Sequence, residues 1–272
     1  MMAEHAEQPK GFDPTVPNEA RVINYMMGGK DNFAADRRAA EEIMAFAPEI
    51  PMMIIEARKF LFRAVAYLAE QGIRQFVDIG CGLPAQGSVH EILERVAPGS
   101  KVAYVDDDPV VIAHSNALID AGERLRIIQA DIRDPDALLD HPDLASLIDL
   151  ERPTAFLVQS MLTNILDDDL AAKIARQLVD RLPVGGYMVL THSVGDAPKA
   201  DTEKLAELFR QRYLLDGDRS GPRTRGEVAR FLDGLDLVPP GLVPLPAWRP
   251  LRGEPGVDPD AFWSVGAVGR KA

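Results

Sequence analysis

The sequence has almost no cysteine. Its single one, Cys81, cannot form a disulfide within the chain, and such sparse cysteine is typical of reducing compartments. No apolar run approaches the roughly 18 residues that a membrane-spanning helix requires. Positive charge is also scarce, since the chain has 30 Lys and Arg residues but 42 Asp and Glu residues. The net charge of −12 argues against a broad electrostatic surface for nucleic acid or anionic membrane, so we expect neither as a partner.

Two further patterns are missing. Residues Met1–Gln8 contain no secretory signal, and we therefore expect a cytoplasmic protein. There is no CxxC or HExxH pattern, so we expect no metal site. The hydrophobic fraction of 46% is ordinary for a globular protein.

Helical patterns fill the chain before the first predicted strand. One helix is predicted over Asp36–Phe46, and the next has an apolar face made by Ile54, Ala57, Leu61, Ala64 and Leu68. An apolar face needs a surface to cover. We therefore interpret residues 1–72 as an N-terminal helical cap and lid, and residues 73–272 as the main domain.

The cap contains a polar and aromatic segment, Pro17–Asp36. Near its centre, Gly28 and Gly29 would each cost a helix about 1 kcal/mol relative to alanine. The segment is therefore either a helix end followed by a turn or a loop that covers a ligand.

Strands and helices alternate from Gln75 onward. The predicted strands are Gln75–Ile79, Lys101–Val105, Leu125–Ala130, Thr154–Gln159, Gly186–His192, Leu237–Leu245 and Phe262–Val268. Strands separated by helices form a mostly parallel sheet with helices on both faces, and a final pair joined without a helix forms an antiparallel edge. The sequence therefore predicts a doubly wound α/β fold with a mostly parallel, seven-stranded sheet.

Several helices between these strands have recognisable starts. Capping boxes pair Ser88 with Glu91 and Thr224 with Glu227. Further helices are predicted over Asp108–Ala121, Asp167–Leu182 and Thr202–Tyr213. Long loops are predicted over Leu214–Arg223 and Pro246–Asp260.

The first strand runs into a glycine turn in the segment Phe76–Pro84, FVDIGCGLP. Asp78 stands at the end of a buried strand, where a carboxylate is costly unless it has a partner or a function. Gly80 and Gly82 let backbone N–H groups approach a ligand closely. Cys81 lies between them, where a small side chain is required, and we interpret it as a packing residue and not as a nucleophile.

Acidic residues also follow the second and third strands. Asp106 and Asp107 end the second strand, Asp131 and Ile132 follow the third, and Gln159 ends the fourth. In open α/β sheets, ligands bind at the carboxyl ends of the strands. Each aspartate could instead cap a local turn, but three successive strands that end in aspartate favour one shared ligand site.

Two cofactor classes compete for the glycine turn. The string Gly80–Ala85 matches G-x-G-x-x-A, a dinucleotide fingerprint that requires a helix to begin at once. Pro84 and the capping box at Ser88 delay the helix, and Asp78 would repel a pyrophosphate. An acid at this position suits a cationic ligand such as S-adenosylmethionine (SAM), which has a sulfonium, an ammonium group and no phosphate.

The remaining acids have a plausible chemical match in the same ligand. The carboxylates of Asp106 and Asp107 suit the two ribose hydroxyls, because each hydroxyl can donate a hydrogen bond. Asp131 suits the exocyclic amine of adenine, and the N–H of Ile132 suits a ring nitrogen.

Three motifs, DIGCGLP, YVDDDPVV and QADIRDP, resemble the motif series of class I SAM-dependent methyltransferases, which have a Rossmann-like fold. The segments PNEARVINYMMGGKDNFAAD, RQFVDIGCGLPAQGSVHE and GLVPLPAWRP resemble, more narrowly, one bacterial family of such enzymes with a generally unassigned substrate. This resemblance extends from about Val16 to Lys271. One departure stands out, because Thr163-Asn164 occupies a position where members commonly have a histidine and an aromatic residue.

The resemblance implies specific cofactor contacts. It implies that Gly80 and Gly82 approach the methionine part, that Asp106 or Asp107 binds the ribose, and that Asp131 binds the adenine. It also implies that Gln159 forms the wall beneath the sulfonium, and that a lid over the cofactor is formed by Tyr25, Gly29 and Asn32.

The predicted function is SAM-dependent methyl transfer to a small-molecule acceptor. Two alternatives stay open, a non-catalytic SAM-binding or regulatory protein, which Thr163-Asn164 permits, and an NAD-binding oxidoreductase. His192, at the end of the fifth strand, is a candidate base or a structural histidine. Trp248, Trp263 and Phe33 either line an acceptor pocket or belong to the core.

Overall fold

The computed structural model describes residues 13–84, 87–120, 122–197, 221–253, 258 and 262–272. The helix predicted over Thr202–Tyr213 lies outside the described residues. So do most of the loop predicted over Leu214–Arg223 and part of the loop predicted over Pro246–Asp260.

From residue 13 onward, three helices precede the sheet, namely α1 (Glu19–Met26), α2 (Ala34–Phe46) and α3 (Ile50–Glu70). The side chain of Asn18 caps α1 by accepting hydrogen bonds from the N–H groups of Ala20 and Arg21. Helix α1 packs on α2, whereas α3 packs on the sheet and on the following helix. The predicted boundary at residue 72 stays a prediction, but α3 is part of the layer that covers the sheet.

Among the described residues the sheet contains eight strands, two of them only two residues long. They are β1 (Gln75–Ile79), β2 (Lys101–Asp106), β3 (Leu125–Gln129), β4 (Ala155–Gln159), β5 (Tyr187–Ser193), β6 (Asp236–Leu237), β7 (Val243–Pro244) and β8 (Ser264–Arg270). Their order is β3-β2-β1-β4-β5-β8-β6, and β7 also pairs with β8. The first five are parallel, whereas β8 is antiparallel to β5, β6 and β7. The doubly wound sheet with an antiparallel edge is thus confirmed.

The antiparallel edge differs in one detail from the sequence prediction. The continuous strand predicted over Leu237–Leu245 is two short strands, β6 and β7, so the described residues form eight strands where seven were predicted. Between them lie Pro239 and Pro240, whose nitrogens carry no hydrogen and cannot donate to the ladder.

The remaining α-helices of the described residues are α4 (Val89–Val96), α5 (Pro109–Leu118), α6 (Pro135–Leu139), α7 (Pro142–Leu147), α8 (Asp168–Arg181) and α9 (Arg225–Ala229). The capping box of Thr224 and Glu227 forms as predicted at α9. At α4, the helix begins directly after Ser88, but the Glu91 carboxylate accepts from the N–H of Gly87 instead, at 2.7 Å.

Apolar side chains of the strands alternate between two cores, one on each face of the sheet. Val77, Phe156 and Leu190 pack into one core, while Phe76 and Leu157 pack into the other. Fully buried Trp248 belongs to the second core, where its ring meets those of Phe60 and Tyr67 edge-on. The parallel strands are thereby fixed with their carboxyl ends at one edge.

Candidate cofactor site

A cleft of about 1230 Å³ opens at the carboxyl ends of the parallel strands. The ends of β1, β2, β4 and β5, the first turns of α1 and one face of α3 line it. Strand β1 pairs with β2 on one side and β4 on the other, so the order of strands reverses there. This reversal is where open α/β sheets bind ligands. Ligand pockets commonly have about 300–1,000 Å³, so the cleft has room for a cofactor and part of a second molecule.

The turn after β1 has a backbone that requires glycine. Gly80 and Gly82 have φ angles of 75° and 65°, in the left-handed region. The N–H groups of Gly80 and Cys81 donate to the carbonyl of Val105 on β2, at 2.8 and 3.1 Å. A Cβ on Gly80 would lie 1.9 Å from the sulfur of Met161. The turn therefore leaves no space for a side chain at Gly80.

Cys81 in this turn is not suited to nucleophilic chemistry. Burial raises the pKa of its thiol well above the ordinary value, and the nearby carboxylates of Asp106 and Asp78 raise it further. The thiol therefore stays protonated. This favours the interpretation of Cys81 as a packing residue.

Asp78 is a buried carboxylate with an unsatisfied oxygen. Its side chain lines the cleft, and among the described residues no donor reaches its Oδ1 atom. Burial raises the pKa of Asp78 to about 7, the charge of Asp106 raises it further, and a hydrogen bond from Gln159 opposes the shift. An unsatisfied buried carboxylate oxygen is expensive. A ligand that donates hydrogen bonds or carries positive charge would satisfy it.

The two predicted ribose ligands have different environments. Asp106 accepts hydrogen bonds from the N–H groups of Gly82 and Asp108, at 2.9 and 3.0 Å, and so ties the glycine turn to the end of β2. Burial raises the pKa of Asp106 to about 6. Asp107 also lines the cleft and is exposed. Both retain acceptor capacity for hydroxyl groups, because each carboxylate oxygen has two lone pairs.

The ends of β3 and β4 complete the predicted set. Asp131 and Ile132 line the cleft after β3, and Gln159 lines it at the end of β4. Asp131 accepts from the N–H of Arg133 at 2.8 Å, so the backbone fixes its orientation. Ser160 adopts a φ of 58°, and such strained positions in non-glycine residues cluster at functional sites.

Of the three predicted lid residues, Gly29 lines the cleft, whereas Tyr25 and Asn32 do not. The Tyr25 hydroxyl donates to Glu41 on α2, at 2.9 Å. The Asn32 amide donates to the carbonyl of Gly29 and to the side chain of Asn24, both at 3.0 Å. The structure thus assigns Tyr25 and Asn32 contacts within the cap, and their contact with a cofactor stays a prediction.

Asn24 organises this loop, and our sequence reasoning missed it. Its Oδ1 atom accepts from the N–H of Asp31 and from the amide of Asn32. A Cβ on Gly29 would lie 2.4 Å from the Asn24 amide, so the second glycine is needed for close approach. The signal available in the sequence was Asn24 itself, an amide side chain one helical turn before the glycine pair.

Glu19 is a second residue that the sequence analysis missed. It is the first residue of α1, lines the cleft, and accepts a hydrogen bond from the amide of Asn164, which follows β4. Burial raises the pKa of Glu19 to about 7, and the charge of Asp106 adds to this. The unusual Asn164 thus has a partner in the cap.

His192 is buried, with both ring nitrogens engaged. Its Nδ1 lies 2.5 Å from the carbonyl of Ser193, and its Nε2 lies 3.4 Å from Nη1 of Arg223. Because the carbonyl can only accept and Arg223 can only donate, these two contacts assign a proton to Nδ1 and the acceptor role to Nε2. This geometry favours the structural interpretation of His192 over a catalytic base.

The aromatic candidates separate clearly. Trp263 lines the cleft, whereas Trp248 lies in the core and Phe33 is exposed outside the cleft lining. Of these three residues, Trp263 is therefore the one that can face an acceptor.

The raised pKa values predict how stability depends on pH. Glu19, Asp78 and Asp106 have ordinary pKa values near 4 and folded-state values of about 6 to 7. The stability that they contribute is complete below pH 4 and is lost as the pH rises through about 6 to 7. Tyr104 and Cys81 face the same carboxylates and stay neutral there, because burial raises their pKa.

We therefore expect these carboxyl groups to lower the melting temperature of the cofactor-free protein between about pH 5 and 8. Thermal denaturation across this range measures the effect. An Asp78→Asn variant isolates one contribution and should lose less stability than the wild type over the same range. Identical pH profiles for both proteins would contradict the assignment.

The residues of the cleft fit SAM. Asp78 offers an unsatisfied carboxylate oxygen to a cation, the glycine turn lines the cleft beside it, and acids follow β2 and β3. Within the described ranges, no three His, Cys, Asp or Glu side chains are grouped as a metal site. No helix in those ranges has the length and hydrophobicity to cross a bilayer. A doubly wound sheet with this site defines the class of SAM-dependent methyltransferases with a Rossmann-like fold.

The chain belongs to the S-adenosyl methyltransferase family, whose sequence model matches residues 5–272. A DUF574 family protein from Streptomyces avermitilis is 36% identical over 96% of this chain and 99% of its own, with a TM-score of 0.87. A proposed methyltransferase from Thermobifida fusca is also 36% identical, over 97% of this chain and 98% of its own, with a TM-score of 0.87. An O-methyltransferase family protein from Burkholderia thailandensis shares only the fold, at 13% identity and a TM-score of 0.50, over 88% of this chain and 60% of its own. Among curated proteins, none matches this sequence.

Proposed function

We propose that the cleft binds SAM and directs its methyl group to a small-molecule acceptor. When bound, the cofactor supplies an electrophilic methyl group on a sulfonium. In this proposal Asp78 binds the ammonium group, and the backbone of Gly80–Gly82 lies against the methionine part. Asp106 and Asp107 bind the ribose, Asp131 and Ile132 bind the adenine, and Gln159 forms the wall beneath the sulfonium. A cytoplasmic location, expected from the sequence, is part of the same proposal.

The single observation that carries this proposal is the unsatisfied Oδ1 atom of Asp78. The atom is buried at the glycine turn, and the residue has 4% exposure. A pyrophosphate beside it would be repelled, whereas an ammonium group would complete its hydrogen bonding. Helix α4 begins only at Val89, so no helix starts directly at the glycine turn as a dinucleotide site requires. Both features disfavour the NAD alternative.

The other end of the cleft supports a small-molecule acceptor. One face of α3 contributes Ile54, Leu61 and Phe62 to its wall, and Trp263 lies near the end of β5. These side chains make a mostly apolar surface beside the acidic cofactor region. Apolar walls with few polar groups are typical of small-molecule sites.

The chain contributes orientation and exclusion of water. The first turn of α1 covers the glycine turn, since a Cβ on Gly82 would lie 3.9 Å from the Cβ of Ala20. Such a cover can hold cofactor and acceptor in a reactive arrangement away from solvent. His192 is engaged on both nitrogens, so the proposal assigns it no catalytic role.

Calorimetric titration with SAM, S-adenosylhomocysteine (SAH) and NAD tests the cofactor. We expect SAM and SAH to bind and NAD to give no signal. Binding of NAD without either sulfur nucleotide would overturn the proposal.

A screen for transfer of isotope-labelled methyl groups from SAM tests the acceptor. We expect label in the small-molecule fraction of a metabolite extract, and no label in added protein or nucleic acid. Label confined to the polymers would contradict a small-molecule acceptor. SAM binding with no transfer to any fraction would favour the non-catalytic alternative that Thr163-Asn164 leaves open.

A further inference from the structure

The cap contributes a third carboxylate to the cleft. Glu19 projects from the first turn of α1 into the cleft, next to Ala20, which lies over Gly82. The charge of Asp106 acts on both Glu19 and Asp78. The three carboxyl groups therefore surround one space, from the cap, from β1 and from β2.

A cluster of acids alone does not define a ligand site, but Asp78 adds an independent observation. Its Oδ1 atom is buried, lines the same cleft, and has no donor among the described residues. The space is bounded by carboxylates that repel one another, and one of them has an unsatisfied oxygen. Such a space is suited to positive charge.

The partners of the three acids differ in a way that separates their roles. Asp106 is held by two backbone N–H groups, and Asp78 by Gln159 at the base of the site. The hydrogen bond of Glu19 comes from the neutral amide of Asn164, which follows β4. A neutral amide does not cancel the charge of the carboxylate, so above its raised pKa of about 7 Glu19 directs a negative potential into the cleft.

We propose that Glu19 faces the sulfonium of SAM and makes the site prefer SAM over SAH. This inference rests on the proposed function of the cleft. SAM has two cationic groups, an ammonium group at the end of the methionine part and a sulfonium near the ribose. The proposed function assigns Asp78 to the ammonium group, and Glu19 supplies the second carboxylate from the cap.

The chemical consequence is discrimination by charge. SAM and SAH share the ammonium group, the ribose and the adenine, and they differ in the methyl group and in the charge on sulfur. Loss of that charge weakens attraction to Glu19 and leaves the contacts of Asp78 unchanged. Glu19 thereby favours entry of the cofactor and release of the product.

The experiment compares the dissociation constants of SAM and SAH in the wild type and in Glu19→Gln, measured by calorimetry at pH 8, above the raised pKa of Glu19. The replacement keeps the shape and removes the charge. We expect SAM affinity to fall about tenfold and SAH affinity to fall less than about threefold, since charge-assisted contacts are roughly twice as strong as neutral ones. The matched control, Glu94→Gln, alters an exposed glutamate of α4 outside the cleft lining and should leave both constants unchanged.

A second variant separates the effect of the Glu19 charge from the effect of the hydrogen bond that holds the cap closed. Asn164→Ala removes the hydrogen bond between α1 and the turn after β4, but it leaves the carboxylate of Glu19 in place. We expect the preference for SAM over SAH to persist in Asn164→Ala and to be lost in Glu19→Gln. The ratio of the two constants is read within each variant, so it does not depend on the folded fraction.

Three results would overturn the inference. Equal loss of SAM and SAH affinity in Glu19→Gln would assign Glu19 a role in cap closure only, as would loss of the preference in Asn164→Ala. Unchanged constants in Glu19→Gln would place the carboxylate away from the sulfonium. Failure of the wild type to bind either nucleotide would be a different outcome, because it would reject the proposed function itself.

Discussion

Replacing Asp78 with asparagine is expected to remove most of the affinity for SAM while leaving the fold intact. The buried Oδ1 atom has no donor among the described residues, so its proposed partner is the ammonium group of the ligand. Hydrogen bonds to charged groups are worth about 1.5–3 kcal/mol, which corresponds to a roughly 10- to 150-fold weaker binding. Calorimetry at pH 8 measures the change, with SAM and SAH affected alike because both carry the ammonium group.

The same substitution should not destabilise the cofactor-free protein. At pH 8 the wild type buries an ionised carboxylate whose pKa is raised to about 7, whereas asparagine buries no charge. We therefore expect the melting temperature of Asp78→Asn to equal or exceed that of the wild type. Weaker binding together with equal or higher stability is the pattern of a functional residue that is costly to the fold.

An exposed aspartate provides the matched control. Asp120 lies after α5, outside the cleft lining, and Asp120→Asn should change neither the affinity nor the melting temperature. Retention of wild-type SAM affinity in Asp78→Asn would remove Asp78 from the cofactor site. A large fall in its melting temperature would instead identify Asp78 as a structural carboxylate.

The fold was largely predictable because its signals are local. The apolar strands, the helices between them and the capping box at Thr224 each depend on a few neighbouring residues. The edge strand was predicted as continuous because strand patterning was given more weight than Pro239-Pro240. Local chemistry also predicted the glycine turn and the strand-end acids, most of which do line one cleft.

The residues that sequence reasoning missed depend on contacts between distant parts of the chain. Glu19 meets Asn164 across 145 positions, and no periodicity connects the two. Tyr25 and Asn32 lie in a segment predicted to cover a ligand, but their polar atoms contact α2 and the loop itself. Whether a polar residue of the cap faces inward or outward depends on how α1 and α2 pack, which no local pattern encodes.

That packing depends on a buried ion network centred on Arg21. Its Nε atom lies 3.0 Å from Asp36 on α2, and its Nη1 atom lies 2.8 Å from Asp108 at the start of α5. A third donor, Nη2, reaches the carbonyl of Val16 at 2.9 Å. All three ionised side chains are buried. The network joins the cap to the sheet domain next to the strand end that carries Asp106.

Replacing Arg21 with methionine is therefore expected to destabilise the protein by about 3–5 kcal/mol, since removal of one partner leaves uncompensated buried charge. Asp36 would lose its guanidinium partner while still holding the N–H groups of Asn18 and Phe33. Chemical denaturation measures the loss in free energy of unfolding. An exposed arginine of α2 gives the control, and Arg38→Met should change that free energy by less than about 0.5 kcal/mol.

Neutralising the two carboxylates that lose their arginine partner tests whether buried charge causes the loss of stability in Arg21→Met. If buried charge causes it, the triple variant Arg21→Met, Asp36→Asn, Asp108→Asn should recover part of the stability, because it buries no unmatched ion. Asp108 also caps α5 through the N–H of Val110, at 2.7 Å, and asparagine can keep this contact. A loss below about 1 kcal/mol in Arg21→Met would show that the pairs are solvated. The cap would then be positioned by apolar packing alone, and Glu19 would not depend on Arg21 for its place in the cleft.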